Sequence, residues 1–497
     1  MSALHEVELK LAAPPGFRLP DLAGLMEGVH AEGRPAAQLT TTYWDTSDLR
    51  LAGWGSSLRF RLEEGWTVKL PGEVADGVLS RPELSFQGSP ERPPREAEVL
   101  VRAFVRRETL APVARLRAVR HRIDLVRDGT VTAASVTLDE VAVLDGVRVA
   151  RRFREVEVEL GIDPPDGLLP AVRERLTVSG AGAADPTSKL ARALGPRMPA
   201  GAEVPEAHPG ADSSTEEIVA GAIGASVRRF IHHDPLVRLS QDPEAVHQCR
   251  VATRRLRSDL RTFRPLLDRD RTEPIRDELR WLGRALGTVR EADVMAAQLQ
   301  AMADDLPAED RVSAERLFGR LEQERGRAQA ELIETLDQDR ALDLLDRLVA
   351  LSRTPAMAPG NGGPSEPAIP PLIDTPWKRL RKAVSALDDE PSDEALHQVR
   401  IRAKRCRYAA EAIAPVVGKD AAAFAKAAAD LQDLLGGHQD AVMAEGWLRA
   451  ASTRAGGRQA LAAGQLVARL ATRRASTWES FPATWKRLKR KGPDTWA

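Results

Sequence analysis

Four short segments in the first 160 residues alternate polar and apolar side chains, and their charges are sorted by sign. The earliest is His5-Glu6-Val7-Glu8-Leu9-Lys10-Leu11. Successive side chains on a strand point to opposite faces. Glu6, Glu8 and Lys10 then share one face, and Val7, Leu9 and Leu11 share the other. Leu58-Arg59-Phe60-Arg61-Leu62 presents two guanidiniums in the same way. Trp66-Thr67-Val68-Lys69-Leu70 presents Thr67 and Lys69, and Glu155-Val156-Glu157-Val158-Glu159-Leu160 presents three carboxylates. A single strand of this kind usually turns its polar face to water. Water alone gives no reason for purely cationic strands and purely anionic ones. A closed antiparallel barrel does, because its strands alternate interior and exterior residues. The polar faces would line a wet tunnel whose guest supplies the missing charges, since unpaired buried charge is costly. Arg and Lys match phosphate oxygens. Clustered carboxylates match a hard divalent cation, Mg2+ or Mn2+.

The chain has 497 residues, which predicts two or three domains. Lys+Arg and Asp+Glu each total 72, so a polyanion site has to come from local segregation of charge. Two cysteines, Cys249 and Cys406, exclude a disulfide framework and a four-cysteine zinc site. No basic segment with an apolar run opens the sequence, and no apolar run reaches about 18 residues. The expectation is a cytoplasmic protein with no membrane partner.

Residues 1–195 read mostly as strands broken by turn signals such as Ala13-Pro14-Pro15-Gly16, Glu63-Glu64-Gly65 and Pro71-Gly72. Short helices are expected at 95–109, 168–176 and 187–194. Residues 196–214, rich in Pro, Gly and Ala, read as a linker. Residues 215–353 and 377–490 have helical period. Between them, 354–376 carries Gly360-Asn361-Gly362-Gly363-Pro364 and Ile369-Pro370-Pro371, which predicts a second linker without helix.

The two helical blocks repeat each other. Glu244-Ala245-Val246-His247-Gln248-Cys249-Arg250 lies against Glu394-Ala395-Leu396-His397-Gln398-Val399-Arg400, 150 positions on. Leu286-Gly287-Thr288-Val289-Arg290-Glu291-Ala292 resembles Leu435-Gly436-Gly437-His438-Gln439-Asp440-Ala441. At about 100° per residue, Val246, Cys249, Thr253, Leu256 and Leu260 form a buried stripe, with Cys249 and Cys406 as small core residues. His247, Arg250, Arg254, Arg257 and Arg261 run beside it, matched by His397, Arg400, Lys404 and Arg407. Like charges at this spacing repel. Two such stripes facing across a pseudo-two-fold axis make a positive groove for a long polyanion. Aromatics are 4% of the chain and none interleaves with the stripe, so a bare phosphate chain is favoured over nucleic acid.

The opening Glu-x-Glu-x-Lys of Glu6, Glu8 and Lys10 resembles the signature of the CYTH family, the triphosphate tunnel metalloenzymes. The resemblance extends over roughly residues 1–200 through Arg59, Arg61, Lys69, Asp139, the Glu155–Glu159 strand and Ser188-Lys189. The family's mid-domain Thr-x-Arg strand is here Ala118-Val119-Arg120. Arg117 and Arg122 lie nearby, so the phosphate-binding arginine of this strand stays open among Arg117, Arg120 and Arg122, with Arg120 preferred. The helical half resembles the CHAD domain, in the His-x-x-Arg-x-x-x-[Arg/Lys]-Arg-x-Arg helices at His247–Arg257 and His397–Arg407.

These resemblances imply an α+β multidomain protein: an N-terminal eight-stranded antiparallel β-barrel forming a tunnel, then a C-terminal all-α duplicated helical bundle. They imply hydrolysis of inorganic triphosphate with Mg2+ or Mn2+, and binding of inorganic polyphosphate. Lys10, Arg59, Arg61, Lys69, Arg120 and Lys189 would grip the triphosphate. Glu6, Glu8, Asp139, Glu157 and Glu159 would hold metal, with Glu155 able to replace either of the last two. Lys10, Glu6 and Glu8 form the catalytic core. His247, Arg250, Arg254, Arg257, His397, Arg400, Lys404 and Arg407 would bind polyphosphate, placing the protein at polyphosphate granules in the cytoplasm. A thiamine triphosphatase, a class IV-type adenylate cyclase and a non-catalytic polyphosphate scaffold are the alternatives. No Gly-x-x-x-x-Gly-Lys loop is present, which weakens an ordinary ATPase reading.

Overall fold

A computed structural model describes residues 2–240, 242–363 and 368–496. The chain divides into two compact units, Met1–Glu203 and Val204–Ala497.

The first unit is built on nine strands: β1 (Ser2–Ala12), β2 (Val29–Asp45), β3 (Ser57–Arg61), β4 (Gly65–Lys69), β5 (Glu73–Ala75), β6 (Val78–Phe86), β7 (Ala111–Arg127), β8 (Val131–Asp145) and β9 (Arg148–Leu160). The order is β1-β9-β8-β7-β2-β3-β4-β6-β5, and β1 also pairs with β6. Eight antiparallel strands therefore close into a ring, with β5 appended to β6. Five short helices flank it: α1 (Arg50–Gly53), α2 (Arg95–Leu100), α3 (Arg102–Val105), α4 (Leu168–Val178) and α5 (Lys189–Leu194).

Alternation decides which face each residue takes. Leu9, Leu11, Val156 and Val158 point outward and pack under Leu168, Val172 and Leu176 of α4. Leu58, Trp66 and Val68 are fully buried on the outward faces of β3 and β4, where Trp44 and Trp66 meet edge to face at 5.4 Å. The helix expected at 95–109 is broken in two at Val101 and ends at Arg106, which takes a φ of +54°.

The second unit is helical: α6 (Thr215–Leu239), α7 (Pro243–Thr262), α8 (Arg269–Ala303), α9 (Ala308–Asp337), α10 (Asp339–Arg353), α11 (Asp374–Val384), α12 (Asp393–Val417), α13 (Lys419–Ser452) and α14 (Gly457–Arg490). The helix pairs α7/α12 and α8/α13 start 150 positions apart. Each helix touches its own counterpart, α7 with α12, α8 with α13 and α9 with α14. Such self-pairing is what helices near an approximate two-fold axis show. Leu299, Leu317, Leu321, Leu448, Leu466 and Leu470 form one core shared by both repeats.

Two expectations need correction. The span 354–376 is not free of helix: a 3-10 turn covers Pro370–Ile373 and α11 begins at Asp374. Proline is tolerated in a first turn, where its missing N–H has no partner to lose, and buried Ile369 and Ile373 anchor the turn. Residues 364–367 of that span lie outside the described residues. In the first linker, Glu203 is held by a bidentate pair with Arg106 at 2.6 Å, so 196–203 belongs to the first unit. No helix among the described residues is long and apolar enough to cross a membrane.

Candidate functional site

The inward faces of the ring carry its charges. Glu6, Glu8, Lys10, Arg59, Arg61, Lys69, Arg81, Asp139, Glu155 and Lys189 are all buried. A cavity of about 230 Å3 is bounded by residues from seven of the eight ring strands together with Ser188, Lys189 and Leu190 at the start of α5. Eight cations and six carboxylates line it. They include Lys10, Arg59, Arg61, Lys69, Arg120, Lys189, Glu6, Glu8, Glu157 and Glu159.

These charges are mostly paired with one another, which differs from a lumen of unpaired ions waiting for a guest. Glu6 takes Lys69 and, at 2.9 Å, Arg81. Glu8 takes Arg81 at 3.0 Å and Lys10 at 3.5 Å. Lys10 reaches Glu157 at 2.9 Å, and Lys69 reaches Glu83 at 2.7 Å. Arg61 is held by Glu64 and the Thr41 hydroxyl, both at 2.9 Å. Burial pushes the Glu6 carboxyl up, but Lys69 and Arg81 outweigh it and hold the pKa below the usual range. The buried Arg59 Nε has no hydrogen-bond partner among the described residues.

Of the three arginines considered on β7, Arg120 lines the cavity and makes a bidentate pair with Asp139 at 2.8 and 2.7 Å. Arg117 is exposed. Arg122 reaches the rim, tied to Asp124 at 2.5 Å and Ser135 at 2.9 Å.

The six candidate metal ligands do not form one set. Asp139 and Glu155 lie behind the cavity wall, bound with Glu157 to the Lys189 ammonium at 3.0, 2.6 and 2.6 Å. Among the described residues no three carboxylate or imidazole groups converge as a metal site, because cations stand between them. Glu6, Glu8, Glu157 and Glu159 nevertheless fit a hard divalent cation in donor type, since all are carboxylates. Glu8 and Glu159 sit directly opposite each other in the β1–β9 register. Like charges so placed are unfavourable without a counter-ion. Burial, then the Glu6 carboxylate, raises the Glu159 pKa against the pull of Lys69.

One end of the ring is closed. Leu39, Leu116, Ala118, Val141 and Val143 cluster with Leu190 and Leu194 of α5. Ala118 and Val141 lie two residues from Arg120 and Asp139, hence on the same inward faces. The interior is thus a charged cavity, as the alternating strands predicted, above an apolar plug that they did not. Lys189 joins the two. Lys189→Met would leave three buried carboxylates without their ammonium, at about 3 kcal/mol of stability. The urea midpoint should fall with an unchanged slope, and the deficit should shrink as acid neutralises the carboxylates. An unchanged midpoint would contradict this role.

Sequence reasoning missed Arg81 and Glu83, which line the cavity from β6. Arg81-x-Glu83 alternates like the other strands, but the intervening Pro82 argues against a strand. Glu64, read only as part of a turn, also faces the cavity.

In the helical unit, His247, Arg250 and Arg254 of α7, Arg290 and Glu291 of α8, Arg400 of α12 and Asp440 of α13 surround a cavity of about 170 Å3. Gly287 makes room there. A Cβ on it would lie 2.5 Å from an Arg250 guanidinium nitrogen, and one on Gly436 would lie 3.5 Å from Arg400. A side chain at Gly287 would therefore displace Arg250, whereas one at Gly436 would meet Arg400 at ordinary contact distance. Arg250 is paired with Glu291 at 3.1 Å. The Nε atoms of Arg254 and Arg400 are buried without a hydrogen-bond partner among the described residues. Lys404 sits among guanidiniums. Its burial, then Arg400, Arg254, Arg250 and Arg257, push its pKa down to about 7. Arg257 faces Arg276, Arg280 and Arg284 of α8. Arg407 is paired with Glu411 at 2.8 Å, and neither it nor His397 lines the cavity. Arg290 was legible in the repeat but not recognised as part of the groove.

A CYTH domain model matches residues 4–194, and a CHAD domain model matches residues 221–449. The Uncharacterized protein MT2285 of Mycobacterium tuberculosis (strain CDC 1551 / Oshkosh) is 33% identical over 468 residues, spanning 88% of this chain and 87% of that protein. Among solved structures, PptA from Streptomyces chartreusis is 24% identical with a TM-score of 0.46, covering 56% of this chain and all of that one, 100%. The CHAD domain from Ricinus communis is 24% identical with a TM-score of 0.47, covering 56% of this chain and 94% of that one.

Proposed function

The chain belongs to the CYTH–CHAD family, a CYTH domain followed by a CHAD domain, and on that premise we propose that it hydrolyses inorganic triphosphate in the ring and binds inorganic polyphosphate in the helical unit. The observation that carries the first part is the convergence of eight cations and six carboxylates on one cavity. The mutual pairing of these groups makes binding an exchange. Phosphate oxygens would take over the donors of Lys10, Arg59, Arg61, Lys69, Arg81 and Arg120. Glu6, Glu8 and Glu157, released from their ion pairs, would hold Mg2+ or Mn2+ together with Glu159. A divalent cation so bound supplies neutralisation of phosphoryl charge and a lowered pKa for an attacking water. The chain's own task is positioning: phosphoryl transfer needs in-line alignment and charge neutralisation, without a covalent nucleophile. Asp139, Glu155 and Lys189 would act as the support that fixes Arg120 and Glu157.

The second part rests on Arg250, Arg254 and Arg400, drawn from both repeats to one cavity with Lys404 beside them, and on the buried Nε donors of Arg254 and Arg400, which have no partner among the described residues. Each such donor needs an acceptor that the protein does not provide, and phosphate oxygens supply one.

Phosphate release from tripolyphosphate, thiamine triphosphate and ATP, each with Mg2+ or Mn2+, tests the substrate. Tripolyphosphate is expected to turn over fastest. Conversion of ATP to a cyclic nucleotide and pyrophosphate would replace this reading with a cyclase.

A further inference from the structure

The two repeats differ sharply at one corner. Arg255 on α7 is neutralised there by Asp259, 3.1 Å away, and by Glu411 of α12. Glu411 also takes Arg407 at 2.8 Å. The Tyr408 ring fills the remaining space, 5.3 Å from the Arg255 guanidinium and 5.7 Å from that of Arg407.

The counterpart corner lies 150 positions away on each helix. Arg405 takes the place of Arg255. Ala409 stands where Asp259 stood, Arg261 where Glu411 stood, and Ser258 where Tyr408 stood. Both acids and the filling ring are gone, and one acid has become a second guanidinium. What remains is an open pocket of about 300 Å3, larger than the central groove. Arg261, Arg269, Arg379, Arg402 and Arg405 line it, and among the described residues no carboxylate does. Arg402 is held by the Gln398 side chain at 3.1 Å. Arg264 at the rim is paired with Glu273 at 2.8 Å, which also takes Arg276. Arg261 and Arg405 have no ion pair among the described residues. Burial lowers the Arg261 pKa to about 10, with Arg405, Arg276 and Arg257 adding to it. Burial, Arg402 and Arg379 lower that of Arg405. The opposite wall is apolar, made by Pro371, Leu372 and Pro376.

We propose that this corner is a second anion site, taking a phosphate ester with an organic group, of the nucleoside polyphosphate class. Planar guanidiniums grip phosphate oxygens in pairs, and like-charged guanidiniums crowded together gain most from such an anion. The apolar wall gives the organic part a surface that a bare phosphate chain would leave unused. The site shares no residue with the cavity of the central groove or with the ring, so it stands independently of the functions proposed for them.

The test is photo-crosslinking of the full chain with 8-azidoadenosine triphosphate, with labelled peptides mapped by mass spectrometry. Label is expected on 258–269 and 371–379. Arg261→Glu combined with Ser258→Tyr restores one acid and the filling ring of the closed corner and should reduce that label at least tenfold. Arg405→Gln, which adds no bulk, should do the same. Absence of label on these segments overturns the inference, as does label undiminished in both variants. Displacement by inorganic tripolyphosphate as effective as by ATP also overturns it. Label confined to residues 1–203 rejects the second site and leaves the reading of the ring intact.

Discussion

Replacing Glu6 and Glu8 together by Gln is expected to lower metal-dependent hydrolysis of tripolyphosphate by on the order of a thousandfold or more. Gln keeps the shape of Glu and removes its charge. Two of the four carboxylates that fit a cation are lost, Arg81 loses both its carboxylate partners, and Lys69 and Lys10 each lose one, keeping Glu83 and Glu157. The second effect separates this outcome from simple damage. Cations freed from Glu6 and Glu8 remain available to phosphate, so tripolyphosphate should bind the variant without metal at least as tightly as it binds the native chain. Turnover lost with binding retained supports the exchange. Unchanged turnover refutes the site, and joint loss of binding and of a cooperative melt would place both residues in stability alone.

Reversing charge at Arg250 and Arg400, each to Glu, is expected to weaken inorganic polyphosphate binding by about a thousandfold. Both side chains line one cavity from opposite repeats. Their reversal places anions beside Arg254 and Lys404, where they satisfy from within the charges a polyanion would neutralise. Lys404 adds a pH signature. With its pKa held down to about 7 by burial and four guanidiniums, its amine is largely neutral in the free protein at pH 8. A bound polyanion favours the ammonium, so binding should take up a proton at pH 8 and almost none at pH 6, where Lys404 is already charged. Calorimetry in two buffers of different ionisation enthalpy reads this directly. Uptake that is independent of pH, or that persists in Lys404→Met, would contradict the assignment. Native polyphosphate affinity after the double reversal would show that the groove lies elsewhere.

What was legible in the sequence was periodic. Glu6, Glu8, Lys10, Arg59, Arg61 and Lys69 announce an inward face because period-2 alternation survives in a sequence whatever the strand order. The repeat announced the helical unit, because a motif recurring after 150 residues needs no structure to be seen. Asp139, Arg120 and Lys189 came only from family resemblance, since none of them lies in a like-charged run that alternates with apolar residues. Other features depend on which strands become neighbours. The ion pairs that tie Lys189 to Asp139, Glu155 and Glu157 join three distant segments. The apolar plug requires knowing that α5 enters the ring, where Leu190 and Leu194 meet Ala118 and Val141. Pro82 hid the pair Arg81 and Glu83 by mimicking a strand breaker. The open corner at Arg261 and Arg405 was hidden by the repeat itself, whose similarity drew notice from the three positions that differ.

The central claim is that the ring's inward charges form a working triphosphate site. Phosphate release from tripolyphosphate by the full chain, followed with Mg2+ and again with EDTA, tests it most directly. The account predicts turnover with the metal and none with the chelator. No release under either condition, or release undiminished by EDTA, would contradict it.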